Sequence, residues 1–308
     1  MKHSVDLLTE AVVRTQNPTC MGLDTRVEYF PEGFFASEKE DAAWLEEASE
    51  AIFQYNKALI DGLCDILPAV KVQVAFYEMY GLPGMRAFLR TMQYAKRCGL
   101  MVIADVKRGD IGSTAEAYAN AFLAGAPAGK GRVSAFETDF VTVNPYLGTD
   151  GIKPFTDACR EHGKGIFVLV KTSNPSGGEL QDLVCGGKPL YEHVAALVDG
   201  WGAGQVGESG YSAVGAVVGA TYPEQGAALR KLLPHTYFLV PGYGAQGGSG
   251  ASLAGTFGKK GGGAIVNASR SLLCAHKKQP GTHFVDAARS EALRMKADLL
   301  SAVGGSIG

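Results

Sequence analysis

Eight short apolar runs recur along the chain, and each has the length and near-continuous hydrophobicity of a buried strand. The runs cover residues 18–23, 69–74, 100–104, 140–143, 165–170, 213–218, 236–240 and 263–267. Strands covered on both faces lack the polar alternation of a half-exposed sheet, so this pattern is typical of a parallel sheet surrounded by helices.

Amphipathic segments of helical length separate these runs. They cover residues 41–67, 82–98, 114–123, 153–162, 189–200 and 223–233. The alternation predicts an α/β fold, a single (β/α)8 TIM barrel that forms one catalytic domain over residues 1–308, with its chemistry at the carboxyl ends of the strands. A doubly wound parallel sheet is the alternative. The glycine-rich stretches 124–132 and 177–188 are interpreted as long loops.

The composition limits what kind of protein this is. A chain of 308 residues with 46% hydrophobic residues can bury a large core, which excludes a disordered protein. The net charge of −2 argues against nucleic-acid binding. The uncharged stretches are too short and glycine-rich to span a membrane, and Asp6 interrupts any leading apolar segment. The six dispersed cysteines lack zinc-ligand spacing. We therefore expect a soluble cytoplasmic enzyme without a bound metal.

Charged residues stand where two neighbouring strands are predicted to end. Asp105 and Lys107 follow the run 100–104, and residues two apart on a strand share a face. Lys71 lies inside the run 69–74, where a buried ammonium needs a carboxylate partner. Asp110 follows on the next loop. An ion-pair network that only closes the barrel would give the same pattern, but four alternating charges at adjacent strand ends favour a catalytic site.

The segment 225–285 contains no Asp or Glu, although seven Lys and Arg residues fall within it. The loops after the seventh and eighth strands of such barrels commonly bind phosphate. Gly242 and Gly244 would let backbone N–H groups approach an anion, Gln246 can donate an amide hydrogen bond, and Arg270 can contact two phosphate oxygens. These features predict an anion site, with a solvated basic surface as the alternative.

Two motif matches in the same region do not indicate function. Residues 242–247 fit the dinucleotide pattern G-x-G-x-x-G, but no acidic residue stands about 20 positions downstream to bind a ribose. The triplet Asn267-Ala268-Ser269 matches the N-glycosylation pattern, yet it lies at the end of a predicted buried strand. We expect neither a dinucleotide site nor a glycan.

Several of these segments together resemble one enzyme family. Residues 105–114 read Asp-Val-Lys-Arg-Gly-Asp-Ile-Gly-Ser-Thr and resemble the D-x-K-x-x-D-I-x-x-T signature of the orotidine 5′-phosphate decarboxylases. Residues 21–24, 140–148, 170–175 and 239–247 resemble segments of the longer-chain branch of that family, and the matches follow in order from Gly22 to Arg270.

The resemblance implies decarboxylation of orotidine 5′-monophosphate to UMP and CO₂, the last step of de novo pyrimidine synthesis, without a metal or an organic cofactor. Lys107 would deliver a proton to C6, because the carbanion left by CO₂ needs a cation and a proton donor beside it. Asp105 and Asp110 would face the substrate carboxylate, and Lys71 would balance their charge.

The resemblance also implies the contacts of the remaining groups. Asp24 and Lys71 would hold ribose hydroxyls, and Ser173 would bind the pyrimidine edge. The phosphate would be bound by the late loops, through Pro241, Gly242, Gly244, Gln246 and Arg270. The enzyme would be a homodimer in which Asp110 and Thr114 reach the neighbouring site.

Two alternatives from other functional classes share this barrel. A sugar-phosphate lyase or epimerase would reuse Asp105, Lys107 and Asp110 but would require a divalent metal. A non-catalytic nucleotide-binding protein would bind UMP without consuming orotidine 5′-monophosphate. Sensitivity to EDTA and consumption of the substrate distinguish these alternatives from a cofactor-free decarboxylase.

Overall fold

The computed structural model describes residues 2–244 and 248–308 and contains a closed parallel barrel. Each strand pairs with the next along the chain, and the last pairs with the first. Within the described residues the barrel strands are β1 (Thr19–Leu23), β2 (Ala69–Gln73), β3 (Met101–Arg108), β4 (Phe140–Val143), β5 (Gly165–Lys171), β6 (Ser212–Val218), β7 (Thr236–Pro241) and β8 (Ala264–Ala268). The predicted TIM barrel is confirmed, and the doubly wound sheet is wrong.

Helices surround the barrel and connect its strands. The longer ones are α1 (Ser4–Thr15), α2 (Ala42–Leu63), α3 (Gly81–Arg97), α4 (Gly112–Ala119), α5 (Thr149–His162), α6 (Leu190–Gly202), α7 (Pro223–Leu232) and α8 (Phe284–Ala302). Single-turn helices occur at Ala75–Glu78, Gly178–Gln181, Gly250–Leu253 and Arg270–Leu273. Across residues 2–244 and 248–308, no helix has both the length and the apolar character needed to cross a bilayer.

The alternation of apolar runs and amphipathic segments does not predict α1 and α8, because both lie outside the eight runs. α1 precedes the first strand and packs Val5 and Leu8 against the barrel interior, so it closes the amino-terminal end. α8 follows the last strand and packs beside α2. The carboxyl-terminal end of the barrel therefore remains the open one.

The stretches 124–132 and 177–188 are not simple loops, so that interpretation is wrong. The first contributes to a two-stranded hairpin of Ala126–Ala128 and Gly131–Val133, and the second contributes to one of Val184–Cys185 and Lys188–Pro189. These hairpin strands are almost entirely exposed, so their residues carry no apolar alternation by which a strand could be recognised.

Aromatic rings fill the barrel interior beside glycines of the next strand. Phe140 and Phe167 lie with ring centroids 5.0 Å apart, and both are buried. The ring of Phe140 occupies the space where a side chain at Gly165 would begin, and the ring of Phe167 does the same at Gly215. This apolar layer forms the floor beneath the polar residues at the carboxyl ends of the strands.

Gly215→Ala should destabilise the barrel. The added Cβ would lie 2.6 Å from the Phe167 ring and 2.8 Å from the Tyr237 carbonyl oxygen, both in a packed interior. We expect a loss of about 1–3 kcal/mol in the free energy of unfolding, measured by chemical denaturation. Gly204→Ala is the matched control, because nothing lies within 4 Å of its Cβ position. Equal stability of the two variants would contradict this account of the interior.

Candidate active site

A cavity of about 540 Å³ opens at the carboxyl ends of the barrel strands. Almost every strand contributes to it, either directly or through the residues that follow it. Its lining includes Asp24, Lys71, Gln73, Asp105, Lys107, Thr142, Ser173, Pro241, Gly242, Asn267, Ser269 and Arg270. The structure therefore brings together most of the residues that the sequence analysis selected.

The Asp105 carboxylate is the centre of the polar network in this cavity. Its Oδ2 accepts hydrogen bonds from Lys71 Nζ at 2.7 Å and Gln73 Nε2 at 2.9 Å. Its Oδ1 accepts from Lys107 Nζ at 2.6 Å and Thr142 Oγ1 at 2.9 Å. Both oxygens of a buried carboxylate are thus bonded, as burial of a charge requires.

The ammonium of Lys71 joins two carboxylates, because Nζ also lies 3.1 Å from Asp24 Oδ1. Burial alone would lower the pKa of Lys71, but the charges of Asp105 and Asp24 outweigh it and hold that pKa above its ordinary value. Burial alone would raise the pKa of Asp105, but Lys71 and Lys107 outweigh it and hold the pKa well below its usual range. Lys71 and Asp105 therefore both remain charged at neutral pH.

An irregularity in β3 places the Lys107 side chain in the cavity. Between Ala104 and Arg108 β3 advances four residues, whereas its partner β4 advances only from Val141 to Val143. Lys107 has a φ of 45°, in the left-handed region. The prediction that Asp105 and Lys107 lie on one side is confirmed, but its reason is wrong, because this bulge replaces simple strand alternation.

Thr142 of β4 stabilises this bulge. Its Oγ1 accepts hydrogen bonds from the backbone N–H groups of Val106 at 3.0 Å and Lys107 at 2.9 Å. The same hydroxyl donates to Asp105 Oδ1. One buried side chain therefore satisfies the two N–H groups that the bulge removes from the sheet ladder and also fixes the carboxylate.

The predicted anion-binding residues lie on the opposite wall. Pro241, Gly242 and Arg270 line the cavity, and across the described ranges no carboxylate lies within ion-pair distance of Arg270. Gly242 has a φ of 102°, which an L side chain rarely adopts. Gly244 lies on the same loop but does not line the cavity, and Gln246 lies outside the described residues.

Ser173 is positioned by the loop that follows β5, in which Thr172 and Gln181 are joined by two hydrogen bonds. Thr172 N–H donates to Gln181 Oε1 at 3.0 Å, and Gln181 Nε2 donates to Thr172 Oγ1 at 2.7 Å. A Cβ at Gly219 would lie 2.8 Å from the backbone of Ser173, so the close approach requires glycine. Ser173 is thereby held at the cavity edge between β5 and the residues that follow β6.

An ion pair between a buried lysine and an exposed aspartate links the two ends of the same loop. Lys171 is fully buried, and its Nζ lies 2.7 Å from Asp182 Oδ1. The ammonium also lies over the rings of Tyr222 and Tyr191, at 4.6 and 5.5 Å from their centroids. The sequence analysis assigned no role to Lys171, although a lysine that ends an apolar strand is a signal of the same kind as Lys71.

Two predicted site residues lie outside the cavity of their own chain. Asp110 follows β3 and accepts a hydrogen bond from the N–H of Ile111 at 2.8 Å. Thr114 is exposed on α4. Ile111 and Tyr146, on neighbouring loops at the same end of the barrel, are exposed apolar side chains, at 55% and 79% of their full accessibility.

Comparison with known proteins shows which family has this arrangement. The family model described as orotidine 5′-phosphate decarboxylase / HUMPS family matches residues 20–281. The chain belongs to this family. An orotidine 5′-phosphate decarboxylase from Rhodopirellula baltica is 43% identical, with 95% of this chain and 97% of the relative covered. One from Clostridium novyi is 42% identical, covering 96% and 98%. The solved OMP decarboxylase of Leishmania donovani is 29% identical, with a TM-score of 0.73 and coverage of 98% and 99%.

Three polar strand residues in the cavity of this orotidine 5′-phosphate decarboxylase family member were not predicted from the sequence. Gln73 and Thr142 bind Asp105, and Asn267 lines the wall near Arg270. Each is a polar residue inside an apolar run and points into the barrel at its carboxyl end. A polar residue at the carboxyl end of an apolar run was the available signal, and only charged residues in that position were predicted as site residues.

Thr142→Val should destabilise the barrel far more than Thr142→Ser. Valine leaves two backbone N–H groups without an acceptor and removes one of the two donors to Asp105 Oδ1, whereas serine keeps the hydroxyl. We expect valine to lower the free energy of unfolding by about 2–4 kcal/mol, measured by urea denaturation. Similar losses in the two variants would contradict the role of the hydroxyl.

Proposed function

We propose that this protein decarboxylates orotidine 5′-monophosphate to UMP and CO₂ in the cavity at the carboxyl end of the barrel. The observation that carries the proposal is the Lys71–Asp105–Lys107 array at the mouth of a barrel of this family. The bond from C6 to the carboxylate breaks, its electron pair stays on C6, and C6 then receives a proton. The ammonium of Lys107 supplies that proton, and water restores it.

The array fits this chemistry because its charges are fixed before the reaction begins. The carbanion at C6 needs a cation already in place, since reorganising one during the reaction would raise the barrier. The four bonds to Asp105 hold the carboxylate that orients Lys107. A negative Asp105 beside the substrate carboxylate disfavours the bound substrate, and the departure of CO₂ removes that repulsion.

The remaining cavity residues contact different parts of the nucleotide, namely its ribose, its pyrimidine ring and its phosphate. Asp24 and Lys71 hold ribose hydroxyls, and Ser173 binds the pyrimidine edge. Arg270 grips the phosphate from two nitrogens, together with Pro241, Gly242, Gly244 and Gln246. Support comes from the lining of the cavity, which includes all of these residues except Gly244 and Gln246.

We also propose a homodimer of one-domain subunits, each spanning residues 1–308. Asp110 and Thr114 reach the site of the neighbouring subunit, which is consistent with their place outside their own cavity. Exposed Ile111 and Tyr146 supply apolar surface beside them. A cytoplasmic location is proposed as well, because all six cysteines, which lie within the described ranges, are unpaired thiols.

The loss of orotate ultraviolet absorbance tests the proposed activity. Purified protein mixed with orotidine 5′-monophosphate and EDTA should consume the substrate and release UMP. Activity that requires an added divalent metal would instead indicate a sugar-phosphate lyase or epimerase. Binding of UMP without consumption of the substrate would indicate a nucleotide-binding protein.

Lys107→Ala should abolish turnover and leave the fold intact, because the side chain is 46% exposed at the cavity mouth. Loss of a general acid alone costs about 10²–10⁴ in rate. A single-turnover assay measures the effect, and Lys57→Ala on the outside of α2 serves as the control. More than about a hundredth of the wild-type rate in Lys107→Ala would contradict the assignment.

Arg270→Ala should weaken catalysis only when the substrate carries a phosphate. We expect kcat/KM for orotidine 5′-monophosphate to fall by an amount that corresponds to several kcal/mol of lost transition-state stabilisation. The reason is that binding energy from the remote phosphate lowers the barrier at the reacting centre. For the nucleoside orotidine the change should be small. Equal losses for both substrates would argue against a phosphate contact.

The dimer proposal predicts complementation between two inactive chains. Lys71→Ala inactivates the site of the subunit that carries it, whereas Asp110→Ala inactivates the site of the other subunit in the dimer. Random exchange of equal amounts makes about half of the dimers hybrid, each with one intact site, so activity should recover to about a quarter of wild type. Subunit exchange is monitored by mass spectrometry. No recovery despite exchange would place Asp110 in its own site or make the two sites interdependent.

A further inference from the structure

Asn267, which lines the cavity, has an unused hydrogen-bond acceptor. It is the penultimate residue of β8, it lines the cavity, and only 6% of it is exposed. Its Nδ2 donates to Ser269 Oγ at 3.2 Å, while Oδ1 is buried and has no partner among the described residues. A buried amide oxygen without a partner is costly, so a ligand that supplies a donor would be favoured here.

The neighbouring strand makes room for this amide. A Cβ at Gly22 would lie 2.8 Å from Asn267 Oδ1 and would also overlap Ser269 Oγ. On its other side Gly22 is paired in register with Lys71 of β2. Because Gly22 has no side chain, the amide of Asn267 can extend over β1 on the side that faces the Lys71–Asp24 pair.

We propose that Asn267 Oδ1 accepts a hydrogen bond from a ribose hydroxyl of the bound nucleotide, an inference that rests on the proposed function. A carbonyl oxygen needs a donor. At neutral pH the carboxylate of the substrate carries no proton and the phosphate is mostly a dianion, whereas ribose hydroxyls and the pyrimidine N–H always have one to donate. The pyrimidine N–H belongs to the side of the cavity formed by Ser173, which leaves the ribose.

The position of Asn267 agrees with this assignment. Arg270, the proposed phosphate contact, follows three residues later, and Lys107, the proposed proton donor, stands on β3. The ribose connects the phosphate to the base, so it must lie between these two points. Asn267 lines the cavity from β8, the strand that leads into Arg270. Asn267 is thus a substrate contact, and its match to the glycosylation triplet has no bearing on its role.

Substrate analogues combined with variants test this contact. We would measure kcat/KM for orotidine 5′-monophosphate and for its 2′-deoxy and 3′-deoxy analogues, with wild type, Asn267→Ala and Asn267→Asp. Asn17→Ala is the matched control. That buried amide makes both of its hydrogen bonds near the amino-terminal end of the barrel, with Ile66 and Thr19, so its loss should not change the ratio between substrates.

We expect Asn267→Ala to lower kcat/KM about tenfold for the ribonucleotide and at most about twofold for the analogue that lacks the contacted hydroxyl. Asn267→Asp, which keeps an acceptor, should retain the discrimination between hydroxylated and deoxy substrates. Equal losses for all three nucleotides would reduce Asn267 to a structural residue. A loss that disappears only with phosphate-free orotidine would assign the amide to the phosphate and overturn the inference.

Binding measurements keep this test separate from the proposed activity. UMP and its 2′-deoxy and 3′-deoxy forms are titrated calorimetrically against wild type, Asn267→Ala and Asn267→Leu, which keeps the approximate size of the side chain without its acceptor if Asn267→Ala does not fold. Weaker wild-type binding of one deoxy form, with a difference that shrinks in the Asn267 variants, supports the contact even in a protein that does not decarboxylate, because Asp24 and Lys71 are unchanged in those variants. A difference that the variants leave unchanged would refute it. Equal wild-type affinities for the three nucleotides would refute the contact, whereas failure to consume orotidine 5′-monophosphate would refute only the activity.

Discussion

The Asp105 carboxylate is the group on which the rest of the site depends. It is buried, and each of its oxygens accepts two hydrogen bonds, one of them from an ammonium. The donors come from β2, β3 and β4, so satisfying one carboxylate fixes the side chains of three adjacent strands. Removing either lysine would leave a buried charge partly unpaired, which is far more costly than losing a surface ion pair.

The polar groups of the cavity are distributed over the barrel rather than concentrated on one loop. Asp24 follows β1, Lys71 lies on β2, Thr142 lies on β4, Ser173 follows β5 and Asn267 lies on β8. Barrel strands are held by neighbours on both sides, so each side chain begins from a backbone position that moves little. Gly242 and Ser173 lie instead just beyond the ends of β7 and β5, and the residues around Ser173 are held by the Lys171–Asp182 ion pair.

Most of the fold and about half of the site network followed from sequence. Continuous apolar runs identified the eight strands, and Lys71 was found because a buried ammonium requires a partner. Thr142 was missed, since threonine in an apolar run is an ordinary strand residue and its three hydrogen bonds depend on the β3 bulge. The pairing of Lys171 with Asp182 was missed because it depends on how the intervening residues fold back.

At position 107 the backbone conformation is unfavourable, whereas the side chain carries the proposed chemistry. The left-handed conformation costs a residue with a Cβ about 1–2 kcal/mol, and glycine would avoid that cost. Glycine would, however, also remove the ammonium that pairs with the buried Asp105 carboxylate, and that loss outweighs the gain. The charge of the side chain, needed for stability as well as for turnover, keeps a lysine in a conformation that its own backbone disfavours.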